Sequence, residues 1–293
     1  MKIAAFADIH GNYPAMQAVV SHLEAWSPDF VINAGDTINR GTRSKACFDL
    51  LTEKLRQPQW SAIKGNHEDY VLTCDSPDAP TRGPKADIWK ISFYTLAQFG
   101  GDVSAIRAQA DFLALDAATE RDTLVAHASM VHNRRGIYPE TTVDELRTLL
   151  ADKSPSLFIV GHTHRPLTRT LDNTLIVNVG SAGLPFDGFW QPSYAQITYL
   201  YGVWQAEIVR VPYDWKAAAR DFIETDFINL GGPLAHIILA ELLLCRPLMA
   251  PWTYLYQKPV LDGEITLEQS VIKFLNELGV SYPVEIPDKH PRA

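Results

Sequence analysis

The sequence predicts an α/β protein, a layered sandwich of mixed β-sheets followed by a mostly helical C-terminal part. Short apolar runs alternate with helical periodicities through the first two-thirds of the 293 residues, the rhythm of parallel strands covered by helices. Two apolar runs at 194–200 and 204–211 lie too close together for a crossover and suggest an antiparallel hairpin. Beyond about residue 212 the strand signals stop and helical ones take over. A core over 1–211 and a helical C-terminal extension over 212–293, packed on that core, are therefore expected.

Taken in order, residues 3–7 read as a buried strand and 14–26 as a helix with Pro14 in its first turn, where a missing N–H costs nothing. A strand at 30–34, a helix over 44–55 and a strand at 61–64 follow. The stretch 75–85 (DSPDAPTRGPK) is a Pro/Gly-rich loop. Further strands are expected at 124–127, 157–161 and 175–178, then the hairpin. In the extension, helices are expected over 215–225, 233–245 and 267–278. The last dozen residues carry three prolines and are expected to form a tail.

Bulk properties narrow the function classes. Hydrophobic residues make up 46% and charged residues 20%, an ordinary soluble composition. The net charge of -8, with no long Lys/Arg run, argues against long nucleic acid as a partner. Cys47, Cys74 and Cys245 show no CxxC spacing and fit a reducing compartment. Residues 1–7 are too short for a signal-peptide core, and the apolar stretch 234–244 is interrupted by His236 and Glu241, so it is not a membrane span. A cytoplasmic protein is expected.

Five short motifs each follow an apolar run that would deliver them to one edge of a sheet, where open α/β proteins build their sites. They are Asp8-x-His10, Gly35-Asp36, Gly65-Asn66-His67-Glu68, His127 and Gly161-His162-Thr163-His164. Asp8 and His10, two apart, would point to the same side of an extended segment, as would His162 and His164. Carboxylate, amide and imidazole donors suit manganese, iron or zinc better than calcium. Seven such groups exceed the needs of one ion and suit two divalent ions sharing a carboxylate, about 3.5–4 Å apart. The glycines before Asp36, Asn66 and His162 would let backbone approach the metals closely.

In this order the motifs resemble the calcineurin-like metallophosphoesterases, over roughly residues 1–210. The resemblance implies a four-layer α/β/β/α sandwich of two mixed β-sheets. It implies one metal held by Asp8, His10, Asp36 and His164, and another by Asp36, Asn66, His127 and His162, with Asp36 bridging. Manganese or iron is favoured, with zinc as an alternative. His67 matches the family's proton-donating histidine and Arg40 its phosphate-contacting arginine, for an in-line attack on phosphorus by a metal-bridging hydroxide. Two positions depart from the pattern. Asn39 stands where the family commonly has an aspartate that orients the histidine; it is expected to accept the same hydrogen bond while stabilising the imidazolium less. Ala128 stands where relatives commonly have glycine. Residues 211–214 (VPYD) and the helices after them also resemble a bacterial subgroup related to serine/threonine and diadenosine tetraphosphate phosphatases.

His132, Arg134 and Arg135 follow His127 and are candidates for contact with a second phosphate or a nucleoside. Trp89, Phe93, Tyr94 and Phe99 have a helical spacing that reads as core. His22 and His236 read as structural, and Glu68 and Asp69 as the acidic start of a helix rather than ligands. The favoured substrate is a small phosphorylated molecule or nucleotide. A serine/threonine phosphoprotein and a cyclic or simple diester stay open, and a non-catalytic interaction scaffold on the same fold is the alternative from another class.

Overall fold

The computed structural model describes residues 1–116 and 121–292. The first half runs β1 (Lys2–Phe6), α1 (Tyr13–Ala25), β2 (Phe30–Asn33), α2 (Ser44–Lys54), β3 (Trp60–Ala62) and α3 (Asn66–Cys74). It continues with α4 (Gly83–Ile88), α5 (Lys90–Gln98), α6 (Ser104–Arg107), β4 (Phe112–Leu115), β5 (Thr123–Ala126) and α7 (Val143–Leu149). Then come β6 (Leu157–Val160), β7 (Leu167–Leu171), β8 (Thr174–Asn178), β9 (Ser193–Leu200) and β10 (Val203–Arg210). The C-terminal helices are α8 (Trp215–Glu224), α9 (Phe227–Leu230), α10 (Leu234–Leu244), α11 (Met249–Leu261) and α12 (Leu267–Glu277).

Two five-stranded sheets form, in the orders β10-β9-β1-β2-β3 and β4-β5-β6-β8-β7. Both are mixed. β1, β2 and β3 are mutually parallel, as are β5, β6 and β8, while β9, β10, β4 and β7 run antiparallel to their neighbours. The predicted hairpin is β9–β10.

Side chains alternate across each strand, and this alternation builds the layers. Ile3 and Ala5 of β1 meet Leu157 and Ile159 of β6 in the core between the sheets. Ala4 and Phe6 face outward under α1 and α2, against Met16, Leu23 and Leu51. Phe158 and Val160 face outward on the other side under Leu146 and Leu149 of α7. The result is the expected α/β/β/α sandwich, with its parallel strands all ending toward the same edge.

Several segments differ from the sequence reading. The helix α11 is absent from it, because Pro251 and Pro259 discourage a helix assignment; yet Trp252, Tyr256 and Val260 form a buried stripe at four-residue spacing that betrays it. The edge strands β4 and β7 are also additional, β7 carrying Arg169 and alternating exposed positions. The prolines of the final dozen residues do not make a free tail. Val284 and Ile286 pack on the C-terminal helices, and His290 is buried beside Trp190 and Trp215. No helix among the described residues is long and apolar enough to cross a membrane.

The C-terminal helices have their own apolar cluster, but it reaches into the core through Ile91 and Leu184. Phe227 sits at this seam, fully buried, with the Tyr94 ring edge-on at 4.9 Å and the Phe222 ring at 5.3 Å. Phe227→Ala is expected to lower stability by roughly 3–5 kcal/mol. Urea unfolding followed by circular dichroism and tryptophan fluorescence should give one shared transition. Two separate transitions would mean that the extension unfolds on its own.

Candidate metal centre and active site

The ligand candidates sit just past the ends of β1, β2, β3, β5 and β6, so that all seven gather where the two sheets meet. They do not converge by strand periodicity. Asp8 and His10 have φ of 56° and 50°, Asp36 has 54°, and His162 and His164 have 70° and 55°. The extended-segment expectation for both pairs is therefore wrong: each chain turns through the left-handed region at the ligand itself. Asp and His tolerate that region better than bulkier residues, but it still carries strain.

The seven candidates' donor atoms fall into two overlapping groups, and His67 shares a third cluster with His10 and Asp36. Asp8 Oδ1 lies 3.3 Å from His164 Nε2 and 3.8 Å from His10 Nε2, and the two imidazole nitrogens are 3.1 Å apart. Asp36 Oδ2 lies 3.7 Å from His10 Nε2 on that side and 3.2 Å from His127 Nε2 on the other. Asn66 Oδ1 completes the second group, 3.1 Å from His127 Nε2 and 2.8 Å from His162 Nδ1.

The opposite edges of these side chains are fixed by other bonds. His127 Nδ1 donates to the Ala34 carbonyl at 2.9 Å, and His164 Nδ1 to the Leu184 carbonyl at 2.5 Å. A carbonyl only accepts, so both rings are oriented with Nε2 facing the centre. The backbone N–H of His67 donates to Asp36 Oδ1, and that of His162 to Asp8 Oδ2, which leaves the other oxygen of each carboxylate directed inward.

This arrangement fits divalent metal ions. Asp8 and Asp36 are completely buried, and among the described residues neither pairs with a Lys or Arg. Asp8 Oδ1 and His10 Nδ1 have no hydrogen-bond partner. Two buried carboxylates need positive charge close by. Burial alone would depress the basicity of His127, yet the Asp36 and Asp8 carboxylates push it up to about 10. Burial would likewise raise Asp36, but His127 and His67 hold it well below the usual carboxylate range. His162, further from this balance, is lowered to about 4 by burial and by repulsion from His127.

Glu68 supports the centre without ligating it. Fully buried, its carboxylate accepts the backbone N–H groups of Asp36, Thr37, Ile38 and Gly65 at 2.7–3.2 Å. These bonds hold the turn that carries Asp36. Burial, aided by Asp36, pushes the Glu68 pKa up to about 7 against those four donors. The glycines matter here through close approach. A Cβ on Gly65 would lie 2.1 Å from Asp36 Oδ1, and one on Gly161 2.5 Å from Asp8 Oδ2.

The predicted catalytic residues are only partly as expected. His67 stands beside the centre, its ring 4.6 Å from that of His10 and perpendicular to it. Its pKa is lowered well below the ordinary value by burial, opposed by Asp36 and reinforced by His10, Arg40 and His164. Asn39 does not accept a bond from it. The Asn39 amide donates to Ser92 Oγ and its oxygen accepts from Arg40 N–H and Thr95 Oγ1, while His67 Nδ1 is left without a partner. The carboxamide is captured by the neighbouring helix α5 and turned away.

Arg40 lies next to His67, but its guanidinium is not free. Nε donates to Glu241 Oε2 at 3.2 Å, and Nη2 reaches both Glu241 oxygens at 2.6 Å. Glu241 comes from α10, 201 residues away, is completely buried, and also accepts the N–H groups of Leu248 and Met249. Phe186 fills the space between the Arg40 guanidinium, 5.3 Å from its ring, and the stacked His164 ring at 4.2 Å. Arg40 Nη1 has no partner among the described residues. Glu241 escapes sequence reasoning, although a lone carboxylate inside an otherwise apolar helix signals a buried cationic partner.

Of the three residues after His127, Arg134 alone approaches the centre's surroundings, its guanidinium 4.6 Å from the Tyr70 ring. His132 turns toward a separate cavity of about 220 Å³ behind His127, and Arg135 is exposed. Trp89 does not join the core as expected. It packs edge-on against Tyr70 at 5.5 Å and lines the cavity beside His67. Tyr94, by contrast, is core, its hydroxyl donating to the Thr42 carbonyl.

Residues 1–166 match the sequence pattern of the calcineurin-like phosphoesterases. The chain belongs to that family. This phosphoesterase is 23% identical over 240 residues to an uncharacterized protein of Methanocaldococcus jannaschii, covering 76% of this chain and 92% of that one. It is 39% identical to serine/threonine-protein phosphatase 2 of Escherichia coli, but only over 66 residues, 22% of this chain and 28% of the relative. Two solved structures share the fold. A metallophosphoesterase of Sphaerobacter thermophilus superposes with a TM-score of 0.63 at 22% identity, covering 83% of this chain and 99% of that one. A hypothetical protein of Pyrococcus horikoshii gives 0.69 at 16% identity, over 82% and 97%.

Gly161→Ala is expected to push the Asp8 carboxylate out of place and lower the metal bound per chain, measured by elemental analysis, in a protein that still folds. Glu241→Ala leaves Arg40 largely buried and unpaired, and should cost roughly 3 kcal/mol or more in denaturant unfolding.

Proposed function

We propose that this phosphoesterase hydrolyses small phosphate esters or nucleotides using two divalent metal ions held at the sheet junction. The supporting observation is Asp36 Oδ2, which faces His10 Nε2 at 3.7 Å and His127 Nε2 at 3.2 Å and so serves both donor groups. Asp8, His10, Asp36 and His164 hold one ion; Asp36, Asn66, His127 and His162 hold the other. Manganese or iron is favoured by the mixed nitrogen and oxygen donors, with zinc as the alternative. When bound, such a pair supplies Lewis acidity to phosphoryl oxygens and lowers the pKa of water toward neutrality.

The remaining work falls to side chains already in place. Arg40, held by Glu241 along its Nε and Nη2 edge, keeps Nη1 for a phosphoryl oxygen and neutralises charge that builds there. Its preset orientation spares the entropy of ordering a long side chain during reaction. His67 donates an N–H toward the leaving oxygen. Small esters are favoured over a phosphoprotein because α10 and α11 of the extension wall the centre on the His67 side. The net charge of -8 disfavours long nucleic acid, and three buried, unpaired cysteines support a cytoplasmic setting.

With manganese, purified protein is expected to turn over bis-p-nitrophenyl phosphate or p-nitrophenyl phosphate, and to lose that activity with a chelator and in Asp36→Asn. The variant should also bind less metal. Full activity in metal-replete Asp36→Asn would sink the shared-carboxylate assignment. Absence of both metal and turnover in the parent would favour a non-catalytic scaffold.

A further inference from the structure

Beside the metal centre opens a cavity of about 390 Å³, within the usual range for small-molecule sites. Arg40, His67 and His162 form the end nearest the centre. Its other walls come from two parts of the chain that sequence order keeps far apart. Tyr70 and Trp89 approach from the core, and Leu234, Ile238 and Met249 from α10 and the start of α11. The Tyr70 and Trp89 rings stand edge to face at 5.5 Å, and Tyr70 stands in the same relation to His67 at 5.3 Å. An aromatic row therefore leads away from the proton-donating position.

Polarity in the cavity is sparse and uncharged away from the centre. Ser92, Thr253 and Gln257 supply hydroxyl and amide groups. Arg40 is the one Lys, Arg, Asp or Glu among the lining residues, and Glu241 already balances it at 2.6 Å. A charged group entering here would lose water and find no counter-ion, which is costly; a ring with a few hydroxyl or amide groups would lose little and gain dispersion contact.

We infer that this cavity receives the alcohol portion of the substrate, and that the substrate is a phosphate monoester or diester whose leaving group is an uncharged, ring-bearing moiety. The inference rests on the proposed hydrolysis and specifies its substrate class. With phosphorus at the metal centre, the ester oxygen lies toward His67 and the attached group extends along Tyr70 and Trp89. Edge and face contacts from these rings select a flat group, while Thr253 and Gln257 read its polar substituents. Arg134, over the outer face of Tyr70, stands next to this row and not within the cavity.

Non-hydrolysable phosphonates separate this binding from catalysis. Titration calorimetry on the manganese-loaded protein would compare ethylphosphonate, 2-phenylethylphosphonate and 2-carboxyethylphosphonate. The phenyl compound is expected to bind about tenfold or more tighter than the ethyl one, and the carboxylate no tighter than the ethyl one. Ala250, exposed on α11 and lining the cavity, offers a substitution that fills the space with little risk to folding. Ala250→Trp should abolish the preference for the phenyl group; Trp89→Ala should reduce it. Equal affinity for the three phosphonates, or a preference untouched by Ala250→Trp, overturns the inference. Tightest binding of the carboxylate overturns it too, in favour of a charged leaving group. Turnover of the matching phosphate esters is measured alongside: a phenyl preference in binding with no hydrolysis of any ester would reject the proposed activity while leaving the cavity as a ring-binding site.

Discussion

The carboxylate of Asp36 has to face two ways from a position almost wholly buried in the protein. One oxygen is committed to the His67 N–H, and only then is the other left between His10 and His127. That division depends on the turn at 35–38 being held still. Glu68 does so with four backbone bonds, and Gly65 has no side chain because Asp36 lies where its Cβ would be. A buried carboxylate accepting four N–H groups is an expensive element to fold. It is tolerable here because each of its lone pairs has a donor, and because it replaces water as the fixed solvent of the turn.

Much of the centre was legible in the sequence because each ligand motif directly follows an apolar run, and strand ends are where α/β folds expose their loops. The ordered glycines, histidines and carboxylates point to the family, and the fold gathers the seven candidate donors at one edge. Their backbone geometry was not legible: residue spacing in Asp8-x-His10 fits an extended strand as well as two left-handed turns, and only the tertiary bonds decide between them. Asn39 shows a similar limit. Its position suggests a partner for His67, but Ser92 and Thr95 on α5 take up the same amide. The prolines of α11 hide it from sequence patterning, although Trp252, Tyr256 and Val260 give it a buried stripe at helical spacing. The tail illustrates the reverse error, since proline content says nothing about whether Trp190 and Trp215 will cover His290.

Three ion pairs among the described residues join the extension to the segment that carries Arg40, the longest of them Arg43–Glu224 at 3.8 Å. Glu241 grips Arg40 itself, and Asp221 on α8 accepts from Arg43 three residues further on, at 2.6 Å. The Arg40–Glu241 pair is largely buried at both ends, whereas Arg43–Asp221 is open to solvent, and so partly screened, on its Arg43 side. Arg40–Glu241 is different because separating it strands two charges out of water. Phe186, lying between Arg40 and His164, ties the same guanidinium to the ring of a candidate ligand. The extension is thus continuous with the centre in charge and in packing.

That continuity bears on motion. Swinging α10 and α11 away would part Arg40 from Glu241 and open the apolar seam around Phe227 in the same movement, so these helices are ill suited to act as a lid. The wall they form is a standing one. The cavity beside the centre is therefore present without any helix having to move, with Tyr70 in its wall and Arg134 across the Tyr70 ring. Rearrangement there is left to side chains, whose motions run on timescales far shorter than those of a hinge.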